Sequence, residues 1–123
     1  MATQSFQALR LQNFTGSVST SPDLQNLGSQ GAHIVIQITS ITGTTPGAIF
    51  TVNGKDQTSN QYYPILESAT LTTGGVIVLK ILPGVTPAAN LAVSDSLPRT
   101  FNIVCVTVGT ITDLDCTVGV NLL

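Results

Sequence analysis

The chain has very few charged side chains. Four Lys or Arg and six Asp or Glu make up 8% of its 123 residues, against about 25% in an average soluble domain. The net charge is −2 and the isoelectric point is near 4.8. Binding to a nucleic acid backbone requires clustered cations, which a chain with four of them lacks. We therefore expect no nucleic acid partner.

Histidine is almost absent, and this limits the catalytic chemistry. The one histidine, His33, alternates with apolar residues in strand-like sequence, where a solvated or hydrogen-bonded ring is favoured over a general base. Asp113 and Asp115 share the parity of one strand face, but no acidic loop of the calcium-binding kind accompanies them. We predict no enzymatic activity, no metal and no cofactor.

Long apolar runs are also missing. No stretch approaches the roughly 20 apolar residues of a membrane span, and the first residues lack the basic and apolar regions of a signal peptide. We expect no membrane partner and no export by such a signal. Two cysteines, Cys105 and Cys116, are too few for a secreted disulfide scaffold. They are predicted to be reduced core thiols, with a single bridge as the alternative.

The residues that are abundant favour β-structure. Hydrophobic residues make up 42% of the chain, and Thr, Ser, Gln and Asn replace the charged residues typical of surface helices. From Gly31 onward, apolar and polar residues alternate with period 2, first in Ile34, Ile36 and Ile38. About seven short strands separated by turn signals predict one β-sandwich, Ig-like or jelly-roll-like, over residues 31–123. Helix is expected only as one or two turns near residues 86–91.

Residues 1–30 show no clean periodicity. Apolar residues are scattered among polar ones, which is typical of an extended N-terminal arm that docks on a partner. The alternative is an edge strand around residues 15–20 that covers the core of the same chain. Under the first hypothesis the interface residues of the arm are Phe6, Leu9, Leu11 and Phe14.

Two strands separated by a turn are predicted at the end of the chain. If Phe101–Val108 and Asp115–Leu122 form a hairpin around residues 110–111, Cys105 lies opposite Cys116 as a possible cross-strand thiol pair. The other face of this hairpin then carries apolar residues outside the core, which indicates a covering partner. These further interface candidates are Val104, Val106 and Val108.

Three other features of the middle of the chain bear on the fold. Residues 42–47 have the composition of a turn. Pro64 cannot donate a ladder hydrogen bond, so its strand is predicted at an edge or a bulge. Of Tyr62 and Tyr63, one is expected in the core and the other outside, where its ring packs at the rim or serves as a stacking platform for sugar.

Four segments in a fixed order carry a family resemblance. They are Asn53-Gly54-Lys55-Asp56, Tyr62-Tyr63, Leu82-Pro83-Gly84-Val85-Thr86-Pro87-Ala88-Ala89-Asn90 and Leu97-Pro98-Arg99-Thr100-Phe101. The chain resembles small structural proteins of tailed bacteriophages with a GKD…YY…PGLT.AAN…LPRTW pattern, over roughly residues 31–122. It departs from that pattern with Val85 in place of Leu and Phe101 in place of Trp.

The resemblance implies a virion location. In a chain with so few ions, the charged residues of the pattern and its surroundings are expected to be ion-paired: Lys55, Asp56, Asp95 and Arg99. The first functional hypothesis is a capsid cement or decoration protein on the capsid surface, assembled in the host cytoplasm. Its partners are the major capsid protein and other copies of itself, most simply in a trimer. The alternative is a tail, neck or fibre module that recognises a host surface polysaccharide.

Overall fold

The computed structural model describes residues 4–123, and the side chains of residues 5–123. These residues are all-β: strand accounts for 64% of them, and they contain no helix. The all-β prediction is confirmed, with eight strands where about seven were expected. The strands are β1 (Gln4–Leu11), β2 (Val18–Thr20), β3 (Leu24–Gln25), β4 (Ala32–Lys55), β5 (Tyr62–Glu67), β6 (Gly75–Ile81), β7 (Ala92–Val93) and β8 (Thr100–Leu122).

Two very long strands form the centre of the sheet. β4 and β8 run antiparallel along each other from the pair Ala32 and Leu122 to the pair Gly54 and Phe101. β1, β2 and β3 line the other side of β8, and β6 and β5 line the other side of β4. β7 joins β6 in parallel, so the result is one mixed, open sheet of eight strands.

A run of β-bulges in β4 and β8 replaces the turns that the sequence predicted. We call this part of the two strands, residues 38–47 and 108–116, the bend. The register between them shifts three times between Ile38 and Gly47. At the bend Gly43 and Gly109 have φ of 148° and 71°, and a Cβ on either would collide with a carbonyl oxygen of the opposite strand. β-bulges of this kind bend and twist a strand without ending it, and β4 and β8 both continue through them.

The predicted final hairpin is therefore wrong. Residues 100–122 are one continuous strand, and each of its segments pairs with β4 instead of with the other segment. The predicted turn at residues 42–47 is wrong for the same reason, since it lies inside β4. A glycine with positive φ allows a bulge as readily as a turn, and the uninterrupted ladder between β4 and β8 decides the outcome here.

The core draws on both sides of the bend. Before the bend, β4 contributes Ile34 and Ile36, and after it Phe50, all with no exposed surface. β8 contributes Ile103 and Val118 from its two segments to the same cluster. The predicted alternation from Gly31 onward is confirmed in β4, because Ile34, Ile36 and Ile38 are buried while residues 37 and 39 are exposed.

Two buried serines extend the sheet where a neighbouring strand ends or begins. Ser68, just after β5, accepts a hydrogen bond from the Phe50 backbone N–H at its Oγ, at 2.9 Å. Ser21, just after β2, does the same for the Ile103 N–H, also at 2.9 Å. Each hydroxyl takes the place of a backbone carbonyl, so two N–H groups of the central strands are satisfied in the core.

The first strand of the described residues forms part of the sheet. β1 lies at its edge and pairs with β8 from Gln4 opposite Leu122 to Leu11 opposite Cys116. Leu9 and Leu11 are each 8% exposed and belong to the core. Of the predicted arm, residues 1–3 lie outside the described residues, and residues 4–11 are this edge strand. The edge strand expected around residues 15–20 is present as β2.

Candidate interaction surfaces

The described side chains do not form a metal centre. Among residues 4–123, no three His, Cys, Asp or Glu side chains come close enough together to hold a metal ion. Within the same residues, no helix is long and apolar enough to span a membrane. Three surface features stand out: an apolar face, a cluster around Tyr62 and a groove beside β6.

The apolar face lies across three strands. Val18 of β2 pairs with Val106 of β8, which in turn pairs with Ile49 of β4. Residues paired across neighbouring antiparallel strands share one face of a sheet. Val108 lies two positions from Val106 and so faces the same way. We call Val18, Ile49, Val106 and Val108 the valine face.

The valine face is open to solvent. Val18 is 56% exposed, Val106 and Val108 are 37% exposed, and Ile49 is half-buried. Val104, the third candidate on this strand, is half-buried and pairs with Thr20 and Thr51. No member of the valine face is charged, so a partner could cover it without burying an ion. The sequence reasoning missed Val18 and Ile49, since their neighbours depend on pairing with distant strands.

A cluster of Tyr62, Lys55 and Asp23, which we call the clasp, lies where β4 ends and β5 begins. Tyr62 donates a hydrogen bond from its hydroxyl to Oδ1 of Asp23 at 2.7 Å. Lys55 donates from Nζ to Oδ2 of the same carboxylate at 3.0 Å. The Lys55 Nζ also lies 5.6 Å from the centroid of the Tyr62 ring. This clasp joins the segment between β2 and β3 to the ends of β4 and β5.

The clasp shifts the pKa of each of its members. The hydrogen bond from Tyr62, followed by that from Lys55, lowers the pKa of Asp23. The hydrogen bond to Asp23 raises the pKa of Lys55 and also that of Tyr62. All three shifts favour the ionised carboxylate, the ammonium and the neutral phenol, which is the set of charges that the clasp needs.

Both tyrosines face solvent, which corrects the expectation that one is buried. Tyr62 is 46% exposed and Tyr63 is 45% exposed. They lie at the start of an edge strand, where they pair regularly with Lys55 and Gly54, and the register shift of this strand comes only between Pro64 and Leu66. A Cβ on Gly54 would stand 2.6 Å from Cζ of Tyr63, so the Tyr63 ring lies against the Gly54 backbone. Pro64 is on this edge strand, as predicted.

The other predicted ion-pair residues lie apart. Asp56 accepts hydrogen bonds from Ser59 within its own loop, which lowers its pKa. Asp95 accepts a hydrogen bond from the backbone N–H of Ser96. Arg99 is exposed. Within residues 4–123 the only salt bridge joins Lys55 to Asp23, so no two of the four predicted residues pair with each other. Asp23 gives no signal in the sequence, because its segment has no periodicity.

The remaining candidates lie in or against the core. Cys105 and Cys116 are free and buried, but on β4 Cys105 pairs with Phe50 and Cys116 pairs with Ile38, so the two cysteines are not ladder partners of each other. The predicted cross-strand opposition is therefore wrong, because it rested on the hairpin. Burial raises the pKa of Cys105 to about 12 and that of Cys116 to about 11. Phe6 and Phe14 are half-buried and pack against the core.

Comparisons with other proteins give no further constraint. No protein-family model, no curated protein and no solved structure matches this chain.

Proposed function

We propose that the chain is a bacteriophage virion structural protein, a cement or decoration protein that stabilises the icosahedral head. The observation that carries the proposal is the valine face, an uncharged apolar surface that is open to solvent and that a partner can cover without burying an ion. The resemblance to small tailed-phage proteins adds the location. The protein then sits on the capsid surface, is assembled in the host cytoplasm, and contacts the major capsid protein and copies of itself.

We further propose that the sheet folds over at its bend into the two layers of a β-sandwich. Residues on both sides of the bend belong to one core cluster, which is what two facing layers produce.

In this proposal the valine face is where neighbouring copies or the shell make contact. Covering apolar surface contributes roughly 25 cal/mol per Å², so hiding four such side chains provides a few kcal/mol per copy before the costs of association. A contribution of this size stabilises a head only when it is repeated over many copies. A trimer at three-fold or quasi-three-fold positions is the arrangement that we favour.

Val106→Asp tests this role. A carboxylate in a covered apolar surface would be desolvated without a partner, so we expect the oligomer to dissociate and binding to heads prepared without this protein to weaken at least about tenfold. Sedimentation velocity measures the first effect and co-sedimentation with heads the second. Val76→Asp is the matched control, since it makes the same substitution at an exposed position of β6, a strand outside the valine face.

The fold of both variants is checked by circular dichroism before binding is compared. Val106 is itself exposed, so its replacement should leave the core intact. If Val106→Asp assembles and binds heads as well as Val76→Asp does, the valine face is not an interface and the cement proposal fails.

A second candidate function is a tail, neck or fibre module that binds a host surface polysaccharide. The two exposed tyrosines support it, since sugar rings stack on aromatic faces and the neighbouring Asp23 carboxylate accepts hydrogen bonds. Under this candidate, Tyr63→Ala abolishes binding to purified host envelope polysaccharide in isothermal titration calorimetry. Val76→Ala, an exposed residue of β6, is the control and should bind normally. An unchanged affinity of Tyr63→Ala removes this candidate.

A further inference from the structure

A groove on the side of β6 has no role in the proposed function. Its floor is the outer surface of β4 and β6, formed by His33, Val78 and Lys80. His33 and Lys80 are paired across the two strands, so their side chains leave the sheet next to each other. The groove has a volume of about 790 Å³, within the range of about 300–1,000 Å³ that is usual for small-molecule sites.

The wall of the groove is the segment that follows β6. It carries Val85, Ala88 and Leu91, and it is fixed to the sheet by the hydrogen bond from the Lys80 N–H to the Leu91 carbonyl, at 2.9 Å. A turn at Ala88 closes this wall, because the Ala88 carbonyl accepts hydrogen bonds from the N–H groups of Leu91 and Ala92.

The groove combines this apolar lining with polar groups that have no partner. The side chains of His33, Lys80 and Thr86 make no hydrogen bond or salt bridge with any residue from 4 to 123. None of the residues that line the groove is acidic. Lys80 therefore places an uncompensated positive charge at an apolar surface, with an imidazole beside it that can also donate a hydrogen bond.

We propose that this groove is a binding site for a small amphiphile with an aliphatic body and one carboxylate. The body lies along Val78, Val85 and Leu91, where its transfer from water supplies most of the affinity. The carboxylate accepts a charge-assisted hydrogen bond from Lys80 and a hydrogen bond from His33. The charge selects the class of ligand, since only an anionic headgroup gains the charge-assisted hydrogen bond from Lys80 and a cationic headgroup is repelled.

Calorimetric titration with decanoate tests the site in the intact protein. We expect saturable binding at millimolar concentration or below, binding at least about tenfold weaker for decanol, and none for decyltrimethylammonium. Lys80→Met keeps the apolar stem and removes the charge, so it should weaken decanoate about tenfold and leave decanol unchanged. Arg10→Met removes the same charge outside the groove and should bind decanoate normally.

Ala88→Trp provides an independent variant, because Ala88 is exposed and a large ring there fills the groove without entering the core. It should abolish decanoate binding while the circular dichroism spectrum and head binding stay unchanged. Absence of decanoate binding to the parent protein would overturn the proposal. So would a change of oligomeric state in Ala88→Trp, since the groove would then be occupied by another copy of the chain. The cement proposal depends on the valine face and stands or falls separately.

Discussion

Replacing Gly109 by alanine is expected to destabilise the fold by at least about 4 kcal/mol, enough to unfold many domains of this size. Gly109 adopts φ of 71° at the bend of β8. A Cβ there would overlap the carbonyl oxygen of Thr45 and crowd that of Thr44. Both are backbone atoms of the facing strand, so the clash is relieved only by opening the ladder between β4 and β8. Urea denaturation followed by circular dichroism measures the loss.

Gly84→Ala is the matched control for that experiment. Gly84 also has a positive φ, of 84°, but nothing lies within 4 Å of a Cβ built on it. It should therefore cost only the strain of an L-residue in the left-handed region, about 1–2 kcal/mol. Equal losses for the two variants would mean that the close approach of the two strands at the bend does not hold the fold together.

The same bend explains which parts of the fold the sequence could predict. The alternation around Ile34 and Ile36 is local, and it correctly identified a strand and its buried face. Residues 42–47 and 109–111 carry glycine and threonine in a pattern that suits a turn and a bulge equally well. What distinguishes the two is the partner strand, about 65 residues away in the chain, and no local signal reports it.

The candidate surfaces also differ in whether the sequence could predict them. Alternation alone predicts that Val106 and Val108 face outward. This prediction is confirmed, although the hairpin in which it was made is wrong. The clasp of Asp23, Lys55 and Tyr62 was not predictable, because it joins three segments that only the sheet brings together. The groove beside Lys80 is also a product of tertiary structure, since its wall is a segment that folds back along β6.

The two buried thiols are expected to react very slowly with an alkylating reagent. Cys105 and Cys116 have pKa values raised by burial to about 12 and about 11, so almost none of either is thiolate at pH 8. Because only the thiolate is alkylated, we expect both to react with iodoacetamide roughly two to three orders of magnitude more slowly than an exposed thiol. Mass spectrometry of the native protein measures this rate. Full labelling in guanidinium chloride without reductant is the control for free thiols.

Rapid alkylation of either cysteine in the folded protein would contradict this burial. Absence of labelling after unfolding would instead show that the two cysteines are bridged.

The raised pKa values also make the fold sensitive to alkali. In the unfolded chain the thiols lose their protons near pH 9, while in the folded chain they keep them until about pH 11 and 12. The folded state therefore binds more protons above pH 9, and its stability falls as the pH rises. Between pH 9 and 11 the loss approaches about 1.4 kcal/mol per pH unit for each thiol.

Urea denaturation of the parent protein and of a Cys105→Ala/Cys116→Ala variant across this range measures the effect. The variant should be less stable at pH 8 because of the cavities but lose less stability with pH, and parallel curves would contradict the neutral buried thiols.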